Sequence, residues 1–199
     1  MGWLVQALDE ASPHVSLKWP DNIEAESEVF AVKIFAQNDY INLAYTRPED
    51  IPFVVEAETN PANSTFIGRW PNEQHLDALS DGDILHLVVK NNDGQNVGYV
   101  IIRGLENKND CIELFRIVIT QKDSGYGQNV FELVKTWCFE ERKAHRLWLD
   151  VRPENARAQH VYEKQGFVRE GVLRECIKEE GGYKSLILMG LLSREYFGS

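Results

Sequence analysis

With 199 residues, 43% of them apolar and 26% charged, the chain is long enough to bury one full core and reads as a single domain with at most an appendage. Its net charge of −10 lies in the first half: residues 1–110 carry 18 acidic against 7 basic side chains, residues 111–199 carry 13 against 14, and the basic stripe that a nucleic-acid binder needs is missing. No run approaches the roughly 18 apolar residues of a membrane span, and Met1-Gly2-Trp3-Leu4-Val5-Gln6 has neither the basic start nor the long apolar stretch of a secretion signal, so a soluble cytoplasmic protein without a membrane partner is expected.

Along the chain, residues 1–28 are rich in Asp, Glu, Ser and Pro with little periodicity, which sets an N-terminal extension, 1–40, apart from a domain over 41–199. The alternation of Phe30, Val32 and Ile34, resumed by Ile41, Leu43 and Tyr45 after Gln37-Asn38-Asp39, predicts a hairpin, with a short helix from Glu24 to Phe35 as the alternative. Arg47-Pro48-Glu49-Asp50 opens a helix carrying Ile51, Val54 and Val55, Asn60-Pro61 breaks it, and Trp70-Pro71 starts a second. Strands follow at Ile84–Lys90, Val97–Leu105 and Ile112–Thr120, the first two joined by Asn92-Asp93-Gly94. A helix beginning near Gln128 places Val130, Leu133, Val134 and Trp137 in one apolar stripe, and Arg146–Val151 alternates as a strand. Asn155 caps a further helix that Gly166 ends, Phe167 enters another strand, and strands near Gly171–Ile177 and Lys184–Leu192 close the chain. The class is α+β with a mixed sheet. Cys111, Cys138 and Cys176 are odd in number and follow no metal-binding or disulfide spacing, so they read as buried free thiols and no metal site is expected.

Ser124-Gly125-Tyr126-Gly127-Gln128 joins the apolar strand directly to the stripe-bearing helix. Two residues without a Cβ let successive N–H groups turn toward one point, and the helix dipole adds to them, which is how a diphosphate is held. The pattern lacks the third glycine of a dinucleotide fingerprint and the Gly-Lys-Ser/Thr of a Walker loop, and an ordinary strand-to-helix turn is the other reading. Arg142, Lys143, Arg146, Arg152, Arg157 and Lys164 gather around it in sequence, which suits a small phosphorylated ligand, and the acidic first half favours a cationic second substrate.

Lys122-Asp123-Ser124-Gly125-Tyr126-Gly127, then His145-Arg146-Leu147-Trp148-Leu149-Asp150-Val151, then Asn155-Ala156-Arg157-Ala158 with Tyr162-Glu163-Lys164-Gln165-Gly166-Phe167, stand in the order and spacing of the GNAT superfamily of N-acetyltransferases. The later Glu170-Gly171-Val172-Leu173-Arg174 and Glu195-Tyr196 resemble the branch holding ribosomal-protein N-terminal and polyamine acetyltransferases. The resemblance implies a twisted, mostly antiparallel sheet with a central splayed parallel pair, flanked by helices, and transfer of an acetyl group from acetyl-CoA to a primary amine. It implies that the diphosphate lies on residues 122–128 (Lys122, Asp123, Ser124, Gly125, Tyr126, Gly127 and Gln128), that the pantetheine arm pairs with Ile117, Val118 and Ile119, and that Asn155 and Ala158 border the cofactor. Tyr162, whose phenol is protonated at neutral pH, would then protect or protonate the departing thiolate, unless it is only a packed aromatic. Asn155 is open to a cofactor contact, a helix cap, or both. Glu113 is placed to take the amine's proton, with an exposed strand residue as its plain alternative; His75 and His86 also titrate in range, and His145 reads as structural. Lys122 departs from the family's usual Arg or Gln, keeping charge but not bidentate geometry. A silent acyl-CoA sensor is the rival to the enzyme, and residues 1–40 leave room for a lid, a homodimer arm or a small packed hairpin.

Overall fold

The structure, a computed structural model, describes residues 32–122 and 124–198. Strands β1 (Ile34–Gln37) and β2 (Ile41–Tyr45) form the expected hairpin, with Phe35 and Ala36 already in the core. The alternative helix ends in this strand, and its earlier residues lie outside those described. A 3-10 turn (Pro48–Asp50) leads into α1 (Ile51–Thr59). Asn60 ends that helix but also caps the next, because its side chain accepts from the Ala62 N–H, so the expected break contains the short helix α2 (Pro61–Ser64). Then come α3 (Asn72–Ala78), β3 (Ile84–Asn91), β4 (Asn96–Arg103) and β5 (Cys111–Ile119). Helix α4 (Tyr126–Thr136) starts two residues before the expected Gln128 and ends in a π-helical turn, Trp137–Glu141. After β6 (Arg146–Val151) and α5 (Ala156–Lys164), Gly166 at φ 91° turns the chain as expected. The tail folds as two strands where three were expected: β7 (Val168–Glu179) runs unbroken from beside Phe167, because irregular registers at Arg169/Gly171 and Leu173/Ile177 absorb the pattern breaks, and β8 (Gly182–Leu192) returns along it, followed by the one-turn helix α6 (Ser193–Tyr196).

The eight strands of the described residues form one sheet in the order β1-β2-β3-β4-β5-β6-β8-β7, in which β5 and β6 are the parallel pair. The apolar stripe of α4 packs on one face against Leu87, Val100, Leu147 and Leu149. The opposite face carries a smaller core of Ala44, Val54, Ala57, Val88, Tyr99, Ile101 and Val118 beneath α1. Phe131 and Leu133 are almost wholly buried, and each such side chain contributes about 1.5–3 kcal/mol of burial to the larger core. Of the three cysteines only Cys138 is fully buried; Cys111 is half-buried, and Cys176 is exposed because it sits on the outer strand β7, whose irregular stretch keeps it out of either core.

Candidate active site

The parallel strands stay together only at their beginnings, where Cys111 faces Arg146, Ile112 faces Leu147 and Glu113 faces Trp148. Beyond that β5 remains bonded to β4 and β6 to β8, so the facing edges of residues 114–119 and 149–151 carry no ladder partner. Backbone N–H and C=O groups in such a cleft need partners, and an extended chain bearing amides supplies them. Between the edges lies a cavity of about 1260 Å³, above the 300–1,000 Å³ usual for a small-molecule site and wide enough for a long ligand plus a second molecule.

A bulge at Phe115 shapes its wall. Leu114 opposes Ile102 while Arg116 opposes Ile101, and the extra residue reverses the in–out alternation. Ile112, Leu114, Ile117 and Ile119 therefore all pack on the α4 face, whereas Phe115 and Val118 pack on the other.

At one end of the cavity is the glycine turn. Gly125 caps α4 in the left-handed region at φ 78°, and a Cβ there would meet nothing within 4 Å, so the demand for glycine is conformational and the space in front stays open. Ser124 Oγ donates to the Gln121 carbonyl (2.7 Å) and closes the turn. Lys122 Nζ donates to Asn63 Oδ1 (2.9 Å), and Asn63 Nδ2 to the Ala57 carbonyl (2.9 Å), tying the turn to α1 and α2. Gly125, Gly127 and Gln128, at the N-terminal end of α4, line the cavity, and a helix N-terminus carries unpaired N–H groups and the positive end of the dipole.

In the middle stand Asp150 and Tyr162. Burial raises the Asp150 carboxyl above the ordinary aspartate range against the pull of Arg152. Burial, with a smaller contribution from the Asp150 charge, pushes the Tyr162 phenol up to about 12, so it is protonated at every working pH. Its ring is held edge-on to Phe131, with centroids 5.6 Å apart. Asn155 Oδ1 accepts from the Ala158 N–H (3.1 Å), so Asn155 is a helix cap that also borders the cavity.

The third part is walled by Phe66, Trp70, Phe115 and Arg116, and its shape is set by a buried carboxylate. Glu58, 1% exposed, accepts from Tyr99 OH (2.8 Å) and pairs with Arg116 through Oε1, and accepts from the Trp70 N–H through Oε2 (3.0 Å). His75 Nε2 lies 3.3 Å from the same Oε1. Burial pushes the Glu58 carboxyl up, but His75, Arg116, Trp70 and Tyr99 together outweigh it and hold it below the ordinary range. Behind it, His75 Nδ1 meets His86 Nε2 (3.1 Å) and His86 Nδ1 meets Thr46 Oγ1 (2.9 Å). Thr46 and His86 thus lead through hydrogen bonds to His75, whose Nε2 lies close to the Glu58 carboxylate without a well-formed hydrogen bond to it. Burial drives His86 down to about 3, which keeps it neutral.

Of the residues singled out from sequence, Ile117, Val118, Ile119, Lys122, Ser124, Gly125, Gly127, Gln128, Asn155, Ala158 and Tyr162 all line this one cavity. Tyr126 is not in the cavity wall and packs against the larger core instead, and Asp123 lies outside the described residues. Glu113 is not in the wall either: it sits at the last paired position before the strands part, next to Arg103, with its carboxyl raised by burial. His75 and His86 are buried in the Glu58 relay, and His145 is exposed, with its main chain bridging Asp110 and Ser193. Of the basic cluster, Arg152, Arg157 and Lys164 reach the cavity, while Arg146 pairs with Glu170 and Arg142 donates to the Leu105 carbonyl. Sequence reasoning missed Asp150 and Glu58. Asp150 carried a signal, a carboxylate breaking the apolar run of a strand, whereas Glu58 looks like any helix-end glutamate.

Residues 37–167 match the Acetyltransferase (GNAT) family. The chain is 30% identical over 144 residues to the ribosomal-protein-bS18-alanine N-acetyltransferase of Bacillus subtilis (strain 168), covering 71% of this chain and 89% of that protein. It is 27% identical over 157 residues to the spermidine N(1)-acetyltransferase of Escherichia coli (strain K12), covering 74% and 83%. Among solved structures, the spermidine/spermine N-acetyltransferase SpeG of Vibrio cholerae superposes with a TM-score of 0.67 at 20% identity, covering 80% of this chain and 96% of that one. A cleft between parted parallel strands, ending in a glycine turn and built from the segments that the family match spans, has a ready account: the chain belongs to the GNAT family of acetyltransferases.

Proposed function

We propose that this chain moves an acetyl group from acetyl-CoA to a primary amine by direct attack, the single observation carrying this being that the parted edges of β5 and β6 share one cavity with Asp150, Tyr162 and the glycine turn. The amides of residues 124–128 hold the diphosphate, with Lys122 beside them, and the edge of Ile117 to Ile119 pairs with the amide-bearing arm. That arm directs the thioester toward Tyr162.

Asp150 takes the amine's proton, directly or through a water, because it is the carboxylate in the middle of the cavity wall and its raised pKa makes it a better base than an ordinary aspartate. An alkyl amine of pKa about 10.4 is roughly 0.04% neutral at pH 7 and an α-amine of pKa about 8 roughly 10%, so the base matters more for the first. Tyr162 faces the leaving sulfur. Handing its proton fully from a phenol near 12 to a thiolate near 8.5 is uphill by about 5 kcal/mol, so its work is hydrogen-bond donation to the thiolate, while the proton released by the amine restores neutrality. Glu113 stands outside the wall, where burial and, to a smaller degree, the Asp150 charge raise its own carboxyl.

The test is thiol release and product mass across peptides, polyamines and aminoglycosides. Turnover of any amine supports the reading. Tight acetyl-CoA binding with no thiol release across the panel would return the protein to an acyl-CoA sensor.

A further inference from the structure

The glycine turn takes one end of the cavity and the reacting pair its middle, which leaves the space bounded by Phe66, Trp70, Phe115 and Arg116 for the acceptor. This space is aromatic. Trp70 and Phe115 stack at 5.3 Å with 28° between their planes. The Arg103 guanidinium lies 3.3 Å above the Phe115 ring, and the Arg116 guanidinium lies 5.0 Å from Trp70 and 4.9 Å from Phe115. Cations on the ring faces fix the ring planes.

The charges there are already spoken for. Arg116 is matched by Glu58 and Arg152 by Glu179, which leaves Asp150 and the exposed Glu154 as the carboxylates of the wall. The first-half segment lining the cavity, residues 62–70, contributes Arg69 and no carboxylate, so the acidity of residues 1–110 is not concentrated in the wall. Glu154, Glu179 and Arg152 are shared with a smaller adjoining hollow, to which Glu180 and Lys184 are added. Asp150 gives an ammonium its station in the middle of the cavity, Glu154 lies on the side shared with the adjoining hollow, and the remaining wall is made of rings.

Building on the acetyltransferase reading above, we infer that this wall is a subsite for a flat apolar or aromatic group next to the acceptor's amine. Glu58 is a positioning residue: it holds the Trp70 main chain and Arg116 at once, and so sets the spacing of the wall without touching the acceptor. An arylalkyl amine, or a chain end whose amine is flanked by an aromatic side chain, fills the subsite, whereas a polyamine places a second charge against Arg116 and the rings.

The probes are 2-phenylethylamine, butylamine and spermidine, each assayed for kcat/KM with wild type, Trp70→Ala, Trp70→Phe and Glu58→Gln, the last at a temperature where circular dichroism shows it folded. The ratio of phenylethylamine to butylamine, compared between variants, cancels the amines' own reactivities. Trp70→Ala should lower that ratio about tenfold, Trp70→Phe should restore most of it, and Glu58→Gln should lower it through KM, all with unchanged acetyl-CoA affinity. A ratio that survives Trp70→Ala, or spermidine turning over best with wild type, overturns the inference while leaving the acetyltransferase reading intact. No thiol release with any amine overturns both.

Discussion

Asp150 and Tyr162 lie twelve residues apart in sequence and meet because β6 ends where α5 begins. Tyr162→Phe should lower kcat by roughly 10²-fold or more with little change in acetyl-CoA affinity by calorimetry, since the hydroxyl acts only when charge develops on sulfur. Full kcat in that variant would return Tyr162 to packing against Phe131. Asp150→Asn should depress kcat/KM at pH 7 and recover much of the loss as pH rises and solvent takes over deprotonation; Glu113→Gln should lose less, because Glu113 stands outside the cavity wall. A pH profile in which Glu113→Gln is the more damaged would make Glu113 the base. Stability moves the other way for Asp150. Its carboxyl is raised in the folded state, so the ionised form at neutral pH opposes folding, and the opposition vanishes once pH falls below the unfolded value. Asp150→Asn should therefore melt higher than wild type at pH 7 and no higher near pH 3, the mark of a group kept for chemistry at a cost in stability.

At the scale of elements, the glycine turn and the bulge in β5 shape the end of the cavity that the proposal gives to the cofactor. Gly127→Val places a branched side chain on the first turn of α4, where only Ile119 Cγ1 lies within 4 Å, at 3.7 Å, so the fold tolerates it while a diphosphate cannot approach the backbone. Acetyl-CoA affinity should fall by at least tenfold, with a melting temperature close to wild type; unchanged affinity by calorimetry would remove the turn from the cofactor site. Gly125→Val instead strains a left-handed residue and should cost about 1–2 kcal/mol of stability. Most elements were legible in sequence because their signals are local: the alternation of Leu147, Leu149 and Val151, the stripe on α4, the Asn155 cap. The bulge at Phe115 was not, because Glu113-Leu114-Phe115-Arg116-Ile117 alternates acceptably in either register, and only the pairing with β4 reveals the extra residue. The fused β7 was missed for the related reason that its turn-like Glu170-Gly171 is absorbed by the ladder to β8.

Across the molecule, the Glu58 network links α1, α3, β3, β4 and β5 through side chains far apart in sequence, which is why no local pattern announced it. Removing the charge with Glu58→Gln leaves the Arg116 guanidinium buried without its partner and should cost about 3–5 kcal/mol at pH 7. The Glu58 carboxyl is held low in the fold, so its contribution is present above the unfolded value and lost as pH falls through the folded one; the gap between variant and wild type should close in acid. His86 adds an earlier limb. Its folded value near 3 against about 6.5 unfolded means that wild-type stability declines as pH drops from about 6.5 toward 3, and His86→Gln should flatten that decline in denaturant titrations; an unchanged acid limb would show that the ring is solvated. The same network holds Trp70 and Arg116 in the cavity wall, so fold stability and the proposed acceptor subsite rest on one carboxylate. The central claim is that the gap between β5 and β6 is where the thioester is presented to an amine. A crystal structure with CoA bound tests it most directly. The account predicts the diphosphate within hydrogen-bond reach of the N–H groups of residues 124–128, the arm paired with Ile117 to Ile119, and the sulfur beside the Tyr162 hydroxyl; CoA bound elsewhere, or a thiol directed away from Tyr162 and Asp150, would contradict it.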